Sequence, residues 1–118
     1  MNIEEFRDYC LAKKGVTESF PFDQDTLVFK VMGKMFLLLN LDENPSMNLK
    51  CDPEEASILR ESYEAVKPGY HMNKAHWNTV LLDASIPAQY LEKWIDDSYD
   101  LIVGRLPGSS KKQLELPT

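Results

Sequence analysis

The residues with the greatest chemical potential lie in one stretch, residues 68–80, which reads Pro-Gly-Tyr-His-Met-Asn-Lys-Ala-His-Trp-Asn-Thr-Val. It holds both histidines and one of the two tryptophans, follows directly on Lys67, and contains none of the 19 acidic residues of the chain. Lysines contact phosphates, asparagines pair with base edges, and aromatic rings stack on bases. The pattern therefore favours a binding surface over a catalytic site.

Two binding hypotheses of different classes follow from this stretch. The first is weak, salt-sensitive, non-enzymatic binding of double-stranded DNA, with contacts from Lys34, Lys67, His71, Asn73, Lys74, His76 and Asn78. The second is a cleft for a small molecule or a protein partner, lined by Tyr70, His76 and Trp77. The structural alternative to both is a hairpin in which Trp77 is a core residue and the polar groups bond locally.

Catalytic and metal-binding patterns are weak in this sequence. His71 and His76 have no carboxylate or cysteine between them, whereas a zinc site needs three or four converging ligands. The sequence has no Gly-rich phosphate loop, H-E-x-x-H or G-x-S-x-G motif. We therefore expect no enzyme activity, cofactor or metal, and keep divalent-cation or iron binding on the acidic helices as a weaker alternative.

The charge of the chain is unevenly distributed. The net charge of −6 argues against nucleic-acid binding through overall positive charge. Residues 26–41, 44–51 and 65–82, however, carry five of the 13 basic residues and no acidic one. These segments have strand-like sequences, so we expect a positive or neutral sheet and negative helices, although Asp and Glu are depleted from strands in any case.

Length and composition fit one globular domain. The 118 residues are 43% hydrophobic and 27% charged, and no apolar run approaches the ~18 residues of a membrane span. The N-terminus is acidic and amphipathic, unlike a signal or transit peptide, which predicts a cytoplasmic protein. Cys10 and Cys51 are too few for a disulfide scaffold and are expected to be reduced core thiols.

Local signals predict three helices. Asn2 and Glu5 form a capping-box pattern before a helix from Ile3 to Lys14. A second helix starts at Asp52-Pro53, where Asp is a good cap and proline suits the first turn. A third runs from Pro87 to about Arg105, with one apolar side.

About five strands are expected. Thr26 to Val31 and Met35 to Leu41 form a hairpin with its turn near Gly33, and Met47 to Cys51 is a third strand. Tyr70 to Met72 and Trp77 to Asp83 are predicted to form a second hairpin.

The order α-β-β-β-α-β-β-α predicts an α+β sandwich: an antiparallel sheet with helices packed on one face and the other face partly open. Residues 16–25 are expected to form an extended connection. Residues 1–106 are predicted to form the domain, and 107–118 a polar, frayed tail.

The 68–80 stretch resembles the signature of the MmcQ/YjbR family of small bacterial proteins. Pro-Phe-Asp-x-x-Thr-Leu-Val-Phe-Lys-Val at residues 21–31, Lys-Cys-Asp-Pro-Glu-Glu at 50–55 and Ser-Tyr-Asp-Leu-Ile-Val at 98–103 support it, and the similarity spans residues 1–106. The resemblance implies a CyaY-like, frataxin-related fold and DNA binding through two wing-like hairpins.

Nine positions match the central motif: Pro68, Gly69, Tyr70, His71, Asn73, Lys74, His76, Trp77 and Asn78. Position 75 is alanine where many relatives are expected to carry a basic residue, so one phosphate contact is missing. The frataxin-like fold raises the iron alternative through the acidic first helix. Arg7, Lys13 and Lys14, however, leave that helix without net charge.

Overall fold

A computed structural model describes residues 2–70 and 72–115. The described residues form four helices and one sheet of six strands, which confirms the α+β class. In chain order the elements are α1 (Ile3–Leu11), β1 (Val16–Ser19), β2 (Thr26–Val31), β3 (Lys34–Asn40), β4 (Ser46–Lys50), α2 (Pro53–Ser62), β5 (Val66–Pro68), β6 (Trp77–Leu81), α3 (Ala88–Gly104) and α4 (Gly108–Glu115).

The strands lie in the order β1-β2-β3-β4-β6-β5, and every neighbouring pair is antiparallel. One strand more than expected is present because β1 occupies part of the predicted connection 16–25. It pairs with β2 from Val16 opposite Val31 to Ser19 opposite Val28. Its exposure alternates along the strand, as an edge strand with one buried side requires.

The predicted helix starts are present. Asn2 and Glu5 form the capping box: Glu5 N donates to Asn2 Oδ1 at 2.8 Å, and Asn2 N donates to Glu5 Oε1 at 3.0 Å. Proline opens α2 and precedes α3 as expected, although the Asp52 side chain makes no capping bond. Helix α1 ends three residues earlier than predicted, and Gly15 then takes a left-handed φ of +76°.

The first predicted hairpin is confirmed, and it contains a bulge. Met32 and Gly33 both have positive φ, which is the geometry of a two-residue turn compatible with strand twist. The register between β2 and β3 shifts so that Phe36 has no partner on β2. Phe36 and Leu37 consequently both belong to the core on the helix side. The bulge explains how five consecutive apolar residues fit into one strand.

The main core lies between the sheet and the helices. Ser98 of α3 is fully buried there: its Oγ donates to the carbonyl of Phe36 at 2.5 Å and accepts from Lys50 N at 2.9 Å. The helix is thereby attached to the bulge of β3 and the end of β4 by polar bonds as well as by apolar packing.

Two local predictions were wrong. Residues 108–115 were predicted to be part of a frayed tail but form a helix, with Leu114 buried against the core. Leu114 packs so closely on Gly15 that a Cβ added at Gly15 would lie 2.5 Å from Leu114 Cδ1. The partner of β6 is β5, at Val66–Pro68, and Tyr70 and Met72 lie in the connection between these strands. Tyr70 N donates to the side chain of Thr79 at 2.9 Å, so the backbone has left the ladder there.

Candidate binding groove

Helices α1 and α3 pack on one face of the sheet. The strand residues that alternate with the main core project from the opposite face, which we call the open face. By strand register its members include Thr17, Ser19, Thr26, Val28, Lys30, Met35, Leu38, Asn40, Ser46, Asn48, Lys50, Lys67, Trp77 and Thr79.

A small second hydrophobic cluster lies at the centre of the open face. Val28, Leu38 and Trp77 are buried there, and Met35 and Met72 pack against them. Trp77 is only 8% exposed, so the structural alternative for this residue is confirmed. The connection between β5 and β6, which we call the 69–76 loop and whose described residues are 69, 70 and 72–76, contacts this cluster. Met72 packs against it, and Gly69 N donates to Trp77 O at 2.9 Å.

A groove of about 570 Å³ lies beside this cluster. We call it the open-face groove; its lining residues are Phe22, Asp23, Thr26, Met35, Leu38, Asn40, Ser46, Asn48, Tyr70 and Met72. Phe22 comes from the loop between β1 and β2 and Tyr70 from the 69–76 loop. Phe22 is 65% exposed and Tyr70 is 51% exposed. Exposed aromatic rings beside a groove of this size are typical of binding sites.

The groove floor contains a defined hydrogen-bond chain. Thr79 is fully buried, and its Oγ1 accepts from Tyr70 N at 2.9 Å and donates to Asn48 Oδ1. This bond orients the amide of Asn48, because the oxygen faces Thr79 and the Nδ2 group faces away from it. Within residues 2–70 and 72–115 no hydrogen bond engages Asn48 Nδ2. The floor therefore presents an N–H donor.

One end of the groove carries a carboxylate. Asp23 Oδ1 accepts from the backbone N–H groups of Asp25 at 2.9 Å and Thr26 at 2.8 Å. The bond from Asp25, followed by the bonds from Thr26, holds the pKa of Asp23 below its usual range. Asp23 is thus an anion with acceptor capacity at neutral pH. The side-chain amide of Asn40 is already engaged: its Nδ2 donates to Asp42 Oδ2 and its Oδ1 accepts from Asp42 N, each at 3.1 Å.

Lysines occupy the open face outside the lining of the groove. Lys30, Lys50 and Lys67 occupy open-face positions on three strands, and Lys50 Nζ lies 5.8 Å from the ring centroid of Trp77. Burial lowers the pKa of Lys50, and the positive charge of Arg105 adds to this effect. Among the six strands, all within the described residues, the one acidic residue is Glu18, which faces the helices and pairs with Arg7. The expected positive or neutral sheet is therefore present on this face.

Comparison with known proteins places the chain in a family. The YjbR family model matches residues 11–101. The uncharacterized protein YjbR of Escherichia coli (strain K12) is 39% identical over 115 residues, covering 97% of this chain and 98% of that protein. The chain belongs to the YjbR family. The resemblance noted in the sequence is thereby confirmed at the level of the family.

Other YjbR-family relatives and solved structures agree with this assignment. The uncharacterized protein YyaQ of Bacillus subtilis (strain 168) is 35% identical over 75 residues, which cover 64% of this chain and 63% of that protein. The crystal structure of the Deinococcus radiodurans protein DR2400, with a DUF419 domain, superimposes with a TM-score of 0.90 at 36% identity, covering 98% of this chain and 89% of that one. A Pseudomonas syringae protein gives 0.75 at 31% identity, covering 86% of this chain and 98% of that one.

Asn78, which we expected to contact DNA, is inaccessible in this YjbR-family fold. It is 2% exposed and faces the helices, whereas Trp77 faces the open side. Its Oδ1 accepts from Arg60 Nε at 2.7 Å, and its Nδ2 donates to Ala56 O at 3.3 Å. The role predicted for Asn78 is therefore corrected: it anchors α2 to β6.

The other predicted contacts are only partly available. Asn73 Oδ1 accepts from the N–H groups of Ala75 and His76 at 2.9 and 3.3 Å, which stabilises the 69–76 loop. Lys74 Nζ bonds Gly69 O at 3.0 Å in the same loop. Lys34 is exposed beside the β2–β3 turn, Lys67 is half-buried on the open face, and His71 lies outside the described residues.

The predicted cleft of Tyr70, His76 and Trp77 is not the one observed. Only Tyr70 of these three lines the open-face groove, while Trp77 packs in the cluster beside it. The register explains the difference, because Trp77 lies across from Lys50 and not across from Asn48.

Other sequence-derived hypotheses concern metals, thiols and membranes. In the described parts of the chain, no group of three or more His, Cys, Asp or Glu side chains is placed to hold a metal ion, which leaves the cation alternative without a site there. Cys10 and Cys51 are free, and burial raises their pKa values to about 12 and about 11. Across residues 2–70 and 72–115 no helix is long and apolar enough to cross a membrane.

Several residues that build the site were not among those predicted, including Phe22, Asp23, Asn48, Arg60 and Thr79. Asn48 carried a usable signal, because it alternates with the apolar Met47 and Leu49 and so lies on the less buried side of its strand. Arg60 gave none. Its guanidinium reaches Asn78 and the carbonyls of Lys74 and Trp77 from a different element, which no local pattern encodes.

Proposed function

We propose that this YjbR-family protein is a binding module that takes a small ligand into the open-face groove. The observation that carries the proposal is the pairing of exposed aromatic rings, Phe22 and Tyr70, with a floor that presents an oriented N–H donor at Asn48. The volume of about 570 Å³ lies within the range of small-molecule sites. Apolar walls with a few oriented polar groups are the usual composition of such sites.

Binding without catalysis is supported by the titratable groups of the groove. Asp23 supplies the carboxylate among the described lining residues, and its lowered pKa makes it a poor proton donor near neutral pH. A general acid or base works best with a pKa near the operating pH. The groove is thus better suited to holding a ligand than to moving its protons.

The direct test is an NMR titration of ¹⁵N-labelled protein with benzamide, benzoate, benzamidine and indole. We expect at least one of these compounds to shift the amide signals of groove residues, including the Asn48 side chain. Phe22→Ala should weaken that binding about fivefold, since it removes roughly 1 kcal/mol of apolar contact.

Phe20→Ala is the matched control, because Phe20 is 50% exposed in the same loop but does not line the groove. If none of the four compounds shifts groove signals at concentrations on the order of 10 mM, which corresponds to a very weak affinity, the proposal fails. Equal effects of the two substitutions would also contradict it.

A second candidate is DNA binding, and one specific observation favours it. Lys30, Lys50 and Lys67 lie on one face with no acidic strand residue among them, and Lys34 borders the same end of the sheet. The β2–β3 turn and the 69–76 loop both leave the sheet at this end, which supports the two-wing arrangement that the resemblance implies. Phosphate contacts by such lysines make affinity dependent on salt.

Fluorescence anisotropy of a labelled duplex at about 50 and about 200 mM salt tests this candidate. We expect saturable binding that weakens steeply with salt. The double variant Lys30→Ala with Lys67→Ala should reduce the slope of log affinity against log salt by the amount expected for about two lost phosphate contacts. The matched control is Lys111→Ala with Lys112→Ala, which removes the same charge from α4. Absence of binding at the lower salt concentration would reject the candidate.

A further inference from the structure

The open-face groove has different hydrogen-bonding character at different positions. Asn48 Nδ2 donates from the floor, because its Oδ1 is held by Thr79. Asp23 accepts from one end of the groove, and its pKa stays below the usual range. A ligand that uses both groups carries an acceptor on one part and an N–H or O–H donor on another.

The walls of the groove favour a flat ring. Phe22 and Tyr70 expose their rings to solvent, and Met35 and Met72 add polarisable thioether contacts. Aromatic side chains stack on the faces of other aromatic rings, including nucleobases. An aromatic ring with polar edges fits this environment better than an aliphatic chain does.

The charge around the groove changes sign along the strands. Asp23, Asp25 and Asp42 lie at the end where β2 begins and β3 finishes, whereas Lys30 and Lys50 lie at the other end of the same face. A ligand aligned with the strands therefore meets carboxylates at one end and ammonium groups at the other. A ring with N–H donors that also carries an anionic group matches both ends.

We infer that the open-face groove binds an unpaired nucleobase with its phosphate, the base lying against Phe22 or Tyr70 and the phosphate directed toward Lys30 and Lys50. Nucleobases combine a stacking face with donors and acceptors on their edges, and the phosphate supplies the anion. The source is a free nucleotide or a base of a single strand. This inference rests on the proposed function, since it names the ligand class of the same groove.

The test compares four nucleoside 5′-monophosphates, ribose 5-phosphate and a single-stranded oligonucleotide by NMR titration and calorimetry. We expect the nucleotides to shift the side-chain NH₂ signal of Asn48, and ribose 5-phosphate to leave it unchanged. Asn48→Asp replaces the donor by an acceptor while keeping an oxygen for Thr79, and it should weaken nucleotide binding about tenfold or more. Asn2→Asp is the control: it makes the same chemical change at a helix cap, where Asp also serves.

An oligonucleotide that binds more than about tenfold tighter than the monophosphates identifies a single strand as the source, and equal affinities identify the free nucleotide. Ribose 5-phosphate binding as well as the nucleotides would overturn the inference, as would unchanged affinity in both Asn48→Asp and Phe22→Ala. If benzamide or indole occupies the groove and no nucleotide does, the inference fails and the proposed function stands; if neither set binds there, both fail.

Discussion

Replacing Gly69 by alanine tests whether the 69–76 loop shapes the open-face groove. A Cβ at this position would lie 2.8 Å from Trp77 Cβ and 2.9 Å from Trp77 O, closer than real contacts allow. The Trp77 contacts include backbone, so the loop itself must move. We expect the displacement to weaken two bonds of 2.9 Å, from Gly69 N to Trp77 O and from Tyr70 N to Thr79 Oγ1.

The expected cost follows from these contacts. Two weakened hydrogen bonds cost about 2 kcal/mol together, and steric displacement in a packed region costs about 1–3 kcal/mol. The reduced freedom of alanine in the unfolded chain offsets about 0.4–1 kcal/mol of this. Gly69→Ala should therefore lower the free energy of unfolding by about 2–5 kcal/mol. Since the loop carries Tyr70 and Met72, benzamide or nucleotide binding in the groove should weaken as well.

Urea unfolding followed by tryptophan fluorescence measures the first effect, and the NMR titrations described above measure the second. The matched control is Gly104→Ala, because nothing lies within 4 Å of a Cβ at this helical position. Alanine there should leave groove binding unchanged and raise stability by up to about 1 kcal/mol. If Gly69→Ala is as stable as the wild type, the close approach of the loop to Trp77 is not the constraint we describe.

Three further outcomes are expected. Ser98→Ala should lower the free energy of unfolding by about 1–3 kcal/mol, because it leaves buried backbone groups of β3 and β4 without their partner. Urea unfolding checks this, with Ser109→Ala at an exposed position of α4 as the control. Leu114→Ala should cost about 2 kcal/mol and expose α4 to proteolysis, whereas a frayed tail would show no change. Burial raises the pKa of Cys10 to about 12, so the thiol stays protonated in the folded protein at a pH where it ionises in the unfolded chain. The stability that Cys10 contributes is therefore full below pH 9 and is lost as the pH rises toward 12. Urea unfolding at several pH values checks this, and a Cys10→Ser variant with the same decline above pH 9 would contradict it.

Sequence reasoning succeeded where a few neighbouring residues determine the structure. The capping pair Asn2 and Glu5, the proline at the start of α2 and the turn at Gly33 each act within one turn of chain, and each is present. The bulge at Phe36 was not predicted, but its cause was visible as five consecutive apolar residues. Such a run has no alternation, so it could not show which residue breaks the pairing.

The errors concern elements that depend on distant partners. Strand β1 is short and polar and forms because β2 supplies hydrogen bonds, while α4 is held by the burial of Leu114. The site residues show the same limit. Alternation places Asn48 on one side of β4, but its orientation depends on Thr79, which is 31 residues away. The DNA contact predicted for Asn78 was wrong because its partner Arg60, which is half-buried, lies in another element.

The segregation of charge explains how an acidic protein can have a surface suited to an anionic ligand. The net charge is −6, yet acids such as Asp96, Asp97 and Asp100 lie on α3, on the far side of the sheet from Lys30 and Lys67. Layers of secondary structure pack about 10 Å apart, and the Debye length at physiological salt is about 8 Å. The lysines therefore dominate the field that a ligand meets near Lys30 and Lys50, whereas Asp23 dominates it at the other end of the groove. The helix acids act on both ends from a greater distance. Lower salt should strengthen the lysine contacts but also extend the repulsion from α3, so the salt dependence of nucleotide binding should be shallower than the lysine count alone implies.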